Sequence, residues 1–181
     1  MPARMAMGAA LLIASACTSI PERPGNVVLI APDDGADLVR QCSRQGPDDA
    51  AAFFTPSPRE ITAIETATMR ALREARDAHE AYIAGAKGQV TAFSWPDDPS
   101  TYERQYVGYV SGGKRMIYGN FLPGGTGPAS AHPLVVCDGG PRFFGVEYDS
   151  GENRVVRIAF NGGFGGPFLA PIEPGAQPKP R

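Results

Sequence analysis

Residues 104–121 read RQYVGYVSGGKRMIYGNF, and this stretch decides the fold. Aromatic and β-branched residues recur with a period of two on both sides of the centre, which is typical of two β-strands. Ser111-Gly112-Gly113-Lys114 lies between them, and paired glycines favour the tight turns that join antiparallel strands. The stretch therefore predicts a β-hairpin with strands Arg104–Val110 and Lys114–Phe121.

A long amphipathic helix is predicted before the hairpin. Ser57-Pro58-Arg59-Glu60 has a capping serine, a proline at the first helical position and a glutamate at the third. Apolar and small residues then recur at steps of three and four, which predicts a helix from about Pro58 to His79. Three i,i+4 ion pairs are expected on its solvent side: Arg70–Glu74, Arg73–Asp77 and Arg76–Glu80.

Shorter elements surround the helix and the hairpin. We predict a strand before the helix and three after the hairpin, namely Val27–Ile30, Leu134–Cys137, Arg142–Tyr148 and Arg154–Phe160. A helical turn carrying Cys42 is expected over residues 38–45. Glycine-containing turns separate the later strands.

These elements predict an α+β fold in which one amphipathic helix packs on an antiparallel β-meander of about five strands. We expect the helix to cover one sheet face formed by Phe144, Val146 and Tyr148 on one strand and by Val156, Ile158 and Phe160 on the next. The order of elements resembles cystatin-like and related helix-on-sheet folds. That resemblance concerns topology and implies no function.

The composition indicates one domain without the charge pattern of a nucleic-acid-binding protein. The chain has 181 residues and a formal net charge of −2, and its basic residues do not cluster. Its 22 glycines and 18 prolines mark loops and turns. We assign residues 27–166 to a single α+β domain and expect the proline-rich tail, residues 167–181, to be extended and largely disordered.

Residues 1–16 have the features of a secretory signal peptide. Arg4 precedes an apolar run that is too short to span a bilayer, which requires roughly 20 residues. Ala14-Ser15-Ala16-Cys17 resembles the lipobox of bacterial lipoproteins, although lipoboxes usually carry leucine at the position of Ala14. The resemblance implies cleavage before Cys17, a lipid on its sulfur, and residues 17–26 as the lipidated cysteine and its tether.

The residue after Cys17 bears on whether a lipoprotein stays in the inner membrane or is sorted to the outer membrane. In bacterial lipoproteins an aspartate there retains the protein in the inner membrane, and this chain has Thr18. The resemblance therefore implies an outer-membrane lipoprotein that faces the periplasm. The alternative is an ordinary signal-peptidase site at Ala14-Ser15-Ala16, which would release a soluble periplasmic protein with a free Cys17.

Three cysteines fit the export hypothesis. If Cys17 is acylated, Cys42 and Cys137 remain as an even pair, as expected in an oxidising compartment. We predict a Cys42–Cys137 disulfide that contributes about 4–5 kcal/mol in the chain-entropy model. The alternative is two separately buried thiols. No metal site or cofactor is predicted, because no His or Cys lies at ligand spacing.

The second half of the chain has a further resemblance. Four short motifs between Glu103 and Gly163 resemble a group of small uncharacterised bacterial proteins: Cys137-Asp138-Gly139-Gly140, Phe143-Phe144-Gly145-Val146, Tyr148-Asp149 and Phe160-Asn161-Gly162. The group has no established activity, so the resemblance implies none.

Strand alternation marks one candidate binding face on the sheet, opposite the helix. Its residues are Tyr109, Tyr118, Phe143, Glu147 and Arg157. Aromatic side chains with a mixed charged rim suit a protein or glycan partner. The alternative is that Val27–Ile30, the loop around Trp95 or the tail covers this face.

Asp138, Asp149 and His132 are candidates for hydrolytic chemistry. Both aspartates open glycine-containing turns, where the carboxylate bonds its own backbone without any catalytic role. A strongly raised pKa on one of them would instead favour an envelope hydrolase acting on cell-wall or glycan substrates. No residue is assigned a catalytic role.

The sequence as a whole predicts a lipid-anchored envelope protein that binds a partner without catalysis, as an inhibitor does. Its partners would be the membrane, through the lipid anchor, and an envelope protein or glycan, through the sheet face or the loop from Pro123 to Pro133. Nucleic acid is not expected. The alternatives are the envelope hydrolase and a structural envelope component.

Overall fold

The predicted hairpin is the centre of a six-stranded mixed sheet. The computed structural model describes residues 26–85, 94–96, 98–124 and 130–162. Gly112 and Gly113 both have positive φ, 54° and 76°, which glycine adopts without strain and which a two-residue turn of this kind requires. The predicted signal peptide, Cys17 and the tail lie outside the described residues.

The elements, in chain order, are β1 (Val27–Leu29), a 3-10 turn (Pro32–Asp34), α1 (Gly35–Val39), β2 (Ala51–Phe54), α2 (Pro58–Gly85), a second 3-10 turn (Pro99–Thr101), β3 (Glu103–Ser111), β4 (Lys114–Leu122), β5 (Phe144–Asp149) and β6 (Arg154–Phe160). The strand order is β1-β3-β4-β5-β6, and β2 also pairs with β3. Strands β3 to β6 form the antiparallel meander, whereas β1 joins it in parallel. The α+β class is confirmed.

The capping box starts α2 as the sequence predicts. The Ser57 backbone N–H donates to a Glu60 carboxylate oxygen at 2.8 Å, and the Glu60 N–H donates to the Ser57 hydroxyl at 3.3 Å. The helix continues past His79 and ends at Gly85. Only the first of the three expected ion pairs, Arg70–Glu74, is present in the described part of the chain, at 4.0 Å.

The apolar face of α2 packs on one face of the sheet. This first core joins the helix to all four meander strands, through Ile61, Ile64, Ala67, Ala71, Leu72, Tyr102, Tyr106, Ile117, Phe121, Phe144, Val146, Tyr148, Val155, Ile158 and Phe160. Phe121 and Phe144 stack at 4.6 Å between ring centroids. Burial of such side chains contributes roughly 1.5–3 kcal/mol each, so this core is the main source of stability.

One residue of the set predicted to face the helix, Val156, does not face it. The pairing of β5 with β6 shifts between Glu147 and Tyr148, so that Glu147 faces Arg157 and Tyr148 faces Val155. This irregularity puts Val155 into the first core at 4% exposure. Val156, which simple alternation assigned to that core, instead packs at the edge of the opposite face.

A second core covers the opposite face of the sheet. Ile30, Leu38 and Val39, which precede α2 in the chain, pack against Val107, Tyr109, Met116 and Tyr118 of the sheet. We call residues 30–54 the covering layer. It includes α1 and β2. The sequence predicted neither of these two elements with the bounds that the structure gives them. The expected helical turn over residues 38–45 is wrong, because α1 ends at Val39 and Cys42 lies in a bend.

The predicted strand Leu134–Cys137 is also wrong, for a physical reason. Residues 133–136 have no regular secondary structure, and side chains rather than a neighbouring strand satisfy their carbonyls. Asn120 donates to the Leu134 carbonyl at 2.9 Å, and Asn161 donates to the Val136 carbonyl at 2.9 Å. The segment is therefore fixed by side-chain amides, which leave no signal in strand periodicity.

A disulfide joins this segment to the covering layer. Cys42 and Cys137 are bonded, with 5.2 Å between their Cα atoms and 95 residues between them in sequence. The predicted pairing is confirmed, and the alternative of two separate thiols is wrong. Both cysteines are exposed, so the bond lies at the surface of the domain.

Candidate functional site

The predicted binding face is buried. Tyr109 and Tyr118 lie on the sheet face opposite α2, as alternation requires, but they are 0% and 1% exposed. Glu147 is 7% exposed on the same face. The covering layer lies over them, so the expectation of an exposed aromatic face is wrong. Of the covers that the alternative reading named, Val27–Ile30 contributes Ile30 and Val28.

Phe143 lies just outside the sheet and is half-buried. It precedes β5 in the loop after the disulfide, where its backbone N–H donates to the Gly140 carbonyl at 3.1 Å. Its carbonyl accepts from the Asn161 N–H at 2.9 Å. The strand was predicted to begin at Arg142, whereas β5 begins at Phe144. The ring packs beside Gly139 and therefore does not form an exposed aromatic surface with the tyrosines.

Glu147 and Arg157 form an ion pair under the covering layer. The Arg157 Nε atom lies 2.8 Å from one Glu147 oxygen, and the Tyr109 hydroxyl donates to the other at 3.1 Å. Burial raises the pKa of Glu147, although Arg157 and Tyr109 act in the opposite direction. Burial and the nearby Glu147 carboxylate raise the pKa of the Tyr109 hydroxyl. These contacts give Glu147, Arg157 and Tyr109 a structural role beneath the covering layer.

A buried polar cluster around Arg44 lies on the same face of the sheet, and it was not predicted. Arg44, 5% exposed, reaches from the covering layer into the sheet. Its guanidinium donates to the Tyr118 hydroxyl at 3.1 Å, to Asn161 Oδ1 at 2.6 Å and to Asn120 Oδ1. Gly145 leaves room for it, since a Cβ there would lie 2.9 Å from Arg44 Nε.

The cluster fixes the loop that carries Cys137. Asn120 also donates to Gln105 Oε1 at 3.1 Å, and Gln105 donates to the carbonyls of Ser130 and His132 at 3.0 and 2.8 Å. The only available signal was the presence of Gln105 and Asn120 at positions of otherwise apolar strands. We interpret the Arg44 cluster as structural, because each of its side chains is buried and occupied by neighbours.

The candidates for hydrolytic chemistry have structural roles. The Asp149 carboxylate accepts from the backbone N–H groups of Gly151 and Glu152 at 2.9 and 3.0 Å and pairs with Lys114 at 3.1 Å. Burial acts to raise the pKa of Asp149, but the bonds from Glu152 and Lys114 outweigh it and hold that pKa below its usual value. The hydrolase hypothesis required the opposite shift.

Asp138 and His132 contribute backbone carbonyls to the network that fixes their loop. Asp138 has φ of 66°, and its carbonyl accepts from Asn161 at 2.8 Å, so it acts through its backbone. His132 is exposed, and its carbonyl accepts from Gln105. Both residues belong to the loop that the Arg44 cluster fixes.

The best candidate site is a cleft between α2 and the segment that leads into β3. The cleft has a volume of about 300 Å³. Its lining is mostly apolar on both walls, with Met69 and Leu72 from the helix and Trp95, Pro96 and Pro99 from the opposite segment. Proline and tryptophan hold this wall in place because they have few rotatable bonds. We call this the helix cleft.

Two arginines of α2 stand at the rim of the helix cleft. Arg76 donates to the Pro96 carbonyl at 3.1 Å and so ties the two walls together. Arg73, one turn earlier on the helix, is exposed and forms no ion pair within the described ranges. The sequence predicted Arg73–Asp77 and Arg76–Glu80 pairs, and neither is present there. The rim therefore carries positive charge that the helix does not neutralise locally.

The other wall of the helix cleft is held by its own hydrogen bonds. The Trp95 indole N–H donates to His79 Nδ1 at 3.4 Å, and its ring meets the Phe160 ring edge-on at 6.0 Å between centroids. Asp98 caps the 3-10 turn by accepting from the Ser100 N–H at 2.9 Å. This bond lowers the pKa of Asp98, which keeps it ionised.

Sequence reasoning missed the helix cleft because its two walls are far apart in the chain. The signals that were present are the lone tryptophan of the chain, Trp95, and an arginine pair three residues apart on the helix. Neither signal shows that the two lie side by side.

A second depression, of about 400 Å³, lies over the covering layer. Arg40 and Asp48 both line it, and Arg40 already pairs with Asp37 at 3.5 Å. Its walls are mainly polar, and one of its two opposite charges is already paired. It therefore lacks the mainly apolar surface that the helix cleft has.

Metal-binding clusters and membrane-spanning helices are two other features that could indicate function. Among the described residues, no group of three or more His, Cys, Asp or Glu side chains is placed to hold a metal ion. No helix in the described part of the chain is long and apolar enough to cross a membrane.

Comparison with known proteins finds no matching family model, no matching curated protein and no matching solved structure.

Proposed function

We propose that this chain is an exported, lipid-anchored envelope protein whose α+β domain is a non-catalytic binding module, with the helix cleft as its ligand site. The observation that carries the proposal is the helix cleft itself. It combines a mainly apolar lining with two arginines and one carboxylate, Asp98, and the exposed Arg73 forms no ion pair within the described ranges. Concave, mainly apolar sites with a few polar groups are the usual form of binding sites.

The disulfide supports export. Disulfides persist in oxidising compartments such as the periplasm and are rare in the cytosol. The Cys42–Cys137 bond accounts for two of the three cysteines and leaves Cys17 for the lipid that its lipobox-like setting suggests. The tether would then lead to Asn26, the first described residue of the domain.

The rigidity of the helix cleft supports binding. Arg76 bonds across it to Pro96, and the packing of Trp95 on Phe160 fixes one wall to β6. A site held open in this way loses little conformational entropy when a ligand enters. The residues considered for hydrolysis are instead engaged in turns of the fold, as described above.

Site-specific photocrosslinking in cells tests the proposal. A photoreactive amino acid of similar size replaces Met69, which lines the cleft, so that Arg73 is kept, and affinity purification under denaturing conditions recovers the adducts. We expect one dominant partner. The control replaces Arg59, which is exposed in the first turn of the same helix and does not line the helix cleft. The same adducts from both positions, or none from position 69, would contradict a binding site in the helix cleft.

The lipid anchor has a separate test. Intact mass spectrometry of the membrane-purified protein should show a chain that begins at Cys17 and carries acyl groups. Cys17→Ala should leave the protein unlipidated. A wild-type mature chain without acyl mass would contradict the anchor and support the soluble periplasmic alternative. Fractionation of the inner and outer membranes then tests the sorting that Thr18 suggests.

A further inference from the structure

The chemistry of the helix cleft narrows the class of ligand, given the proposed binding function on which this step rests. One wall presents Met69 and Leu72, which are flexible aliphatic side chains and not flat aromatic surfaces. Methionine adapts its shape to irregular apolar partners. A volume of about 300 Å³ accommodates one or two large apolar side chains.

The rim supplies recognition of a carboxylate. Arg73 and Arg76 lie on the same wall, three residues apart on α2 and therefore on one face of the helix. Guanidinium groups bind carboxylates through paired, charge-assisted hydrogen bonds. Arg76 uses one nitrogen on Pro96, whereas Arg73 has no partner in the described segments. Arg73 is therefore the primary carboxylate receptor.

The charge at the helix cleft is positive on balance. Two arginines, Arg73 and Arg76, and one carboxylate, Asp98, line it. One Asp98 oxygen accepts from the Ser100 N–H, and the Pro96 carbonyl accepts from Arg76. Because the guanidinium groups outnumber the carboxylate, the rim favours an acidic group on the ligand.

We infer that the helix cleft binds an extended acidic peptide segment of a partner protein, with a large apolar side chain in the cleft and an adjacent carboxylate on Arg73. Affinity would then depend on both parts of the ligand. Salt would weaken the binding, because the arginine is exposed and its field is screened.

Fluorescence titration of the full-length protein tests the inference, since Trp95 lines the cleft and is the only tryptophan in the chain. The probe is the blocked peptide acetyl-Gly-Leu-Glu-Gly-Gly-amide, which contains no aromatic residue. We expect its addition to change the Trp95 emission with saturation. Replacing Glu in the peptide by Gln should weaken binding about 10-fold, and replacing Leu by Ala should weaken it similarly.

Variants of the protein make the test specific. Arg73→Gln should weaken binding of the glutamate peptide about 10-fold and should leave the glutamine peptide unaffected. Arg73→Glu should reverse the preference in favour of a lysine peptide. Arg59→Gln removes the same charge from the other end of the helix and should change nothing. Circular dichroism checks that each variant is folded.

Three results would overturn the inference. They are equal binding of the Glu and Gln peptides, equal effects of Arg73→Gln and Arg59→Gln, and a Trp95 response to a muramyl or chitin oligosaccharide without one to the peptide. If crosslinking at position 69 still traps one partner, the ligand class is wrong and the binding module stands. If crosslinking also yields nothing, the proposed function fails as well.

Discussion

Arg44 is a cation that the fold buries among neutral acceptors. It makes three hydrogen bonds, to Tyr118, Asn120 and Asn161, and it forms no ion pair within the described residues. A planar guanidinium can serve three acceptors in fixed directions, which an ammonium group cannot do. The covering layer therefore depends on the shape of this side chain as much as on its charge.

Arg44→Lys should destabilise the domain by about 2–4 kcal/mol, because buried acceptors lose their donors while a buried charge remains. Urea denaturation followed by circular dichroism measures the loss. The matched control is Arg40→Lys, an exposed position in the same layer, which should change stability by less than about 0.5 kcal/mol. Equal effects of the two variants would show that the guanidinium geometry is unimportant.

Glu60 links stability to pH. Its carboxylate bonds to Arg115 and caps α2 at Ser57, and mainly the Arg115 bond lowers its pKa to about 2 despite partial burial. A carboxylate with a depressed pKa stabilises the fold above its unfolded pKa. That contribution is lost as pH falls from about 4.5 towards 2.

Glu60→Gln should therefore lower stability by about 1–2 kcal/mol at pH 7, and the difference from the wild type should shrink as pH approaches 2. Urea midpoints at pH 7, 4 and 3 measure this. Glu74→Gln serves as the control, since Glu74 is an exposed partner of Arg70 on the same helix and should show no such trend. A pH-independent difference for Glu60→Gln would contradict the pKa argument.

At the level of elements, local signals were sufficient for α2 and for the β3–β4 hairpin. A capping box and a helical period specify the first, and a glycine pair between alternating strands specifies the second. The segment 134–137 shows the limit of such reasoning. Its conformation depends on Asn120 and Asn161, which come from two different strands. Its own composition is that of a strand.

Removing the disulfide should weaken the fold without releasing the covering layer. With 95 residues between the cysteines, the Cys42→Ser/Cys137→Ser variant should lose about 4 kcal/mol, because the unfolded chain gains entropy. The layer should stay in place, since Ser43 and Arg44 still bond to the sheet and its loops. Urea denaturation gives the first quantity, and hydrogen exchange over residues 38–45 gives the second. Loss of protection confined to those residues would contradict the expectation.

In the molecule as a whole, two apolar cores share one sheet. Side chains of β3 and β4 alternate between them, so Tyr106 belongs to the first core and Tyr109 to the second. This arrangement explains why the candidate binding face is buried. Alternation placed Tyr109, Tyr118 and Glu147 on one face correctly, but the covering layer over them consists of short elements, such as the five-residue α1, that leave little periodicity in the sequence.

The shared sheet should make the domain unfold as one unit. Leu38→Ala empties a fully buried position in the second core and should cost about 2–5 kcal/mol. Trp95 packs against the first core, yet its fluorescence midpoint in urea should fall together with the circular dichroism midpoint. Ile64→Ala, in the first core, is the matched comparison. A Trp95 midpoint unchanged by Leu38→Ala would show that the covering layer unfolds separately.

The helix cleft could be predicted only in part. Helical spacing puts Arg73 and Arg76 on one face of α2, but it also predicts that Asp77 and Glu80 neutralise them. The opposite wall, with Trp95, Pro96 and Pro99, follows the long helix and is brought back to it by the start of β3. That return depends on the packing of the whole sheet, so no local pattern contains it.

The chain enters the fold close to this cleft. The Asn26 side chain donates to the Thr101 carbonyl at 3.3 Å, and Thr101 ends the same 3-10 turn that begins at Pro99 of the cleft wall. A tether over residues 18–26 spans at most about 30 Å when extended. If the domain is anchored at Cys17, this short tether would keep the helix cleft close to the surface of the bilayer. Partners fixed to that bilayer would meet it by lateral diffusion in two dimensions, at an effective concentration far above their average in the compartment.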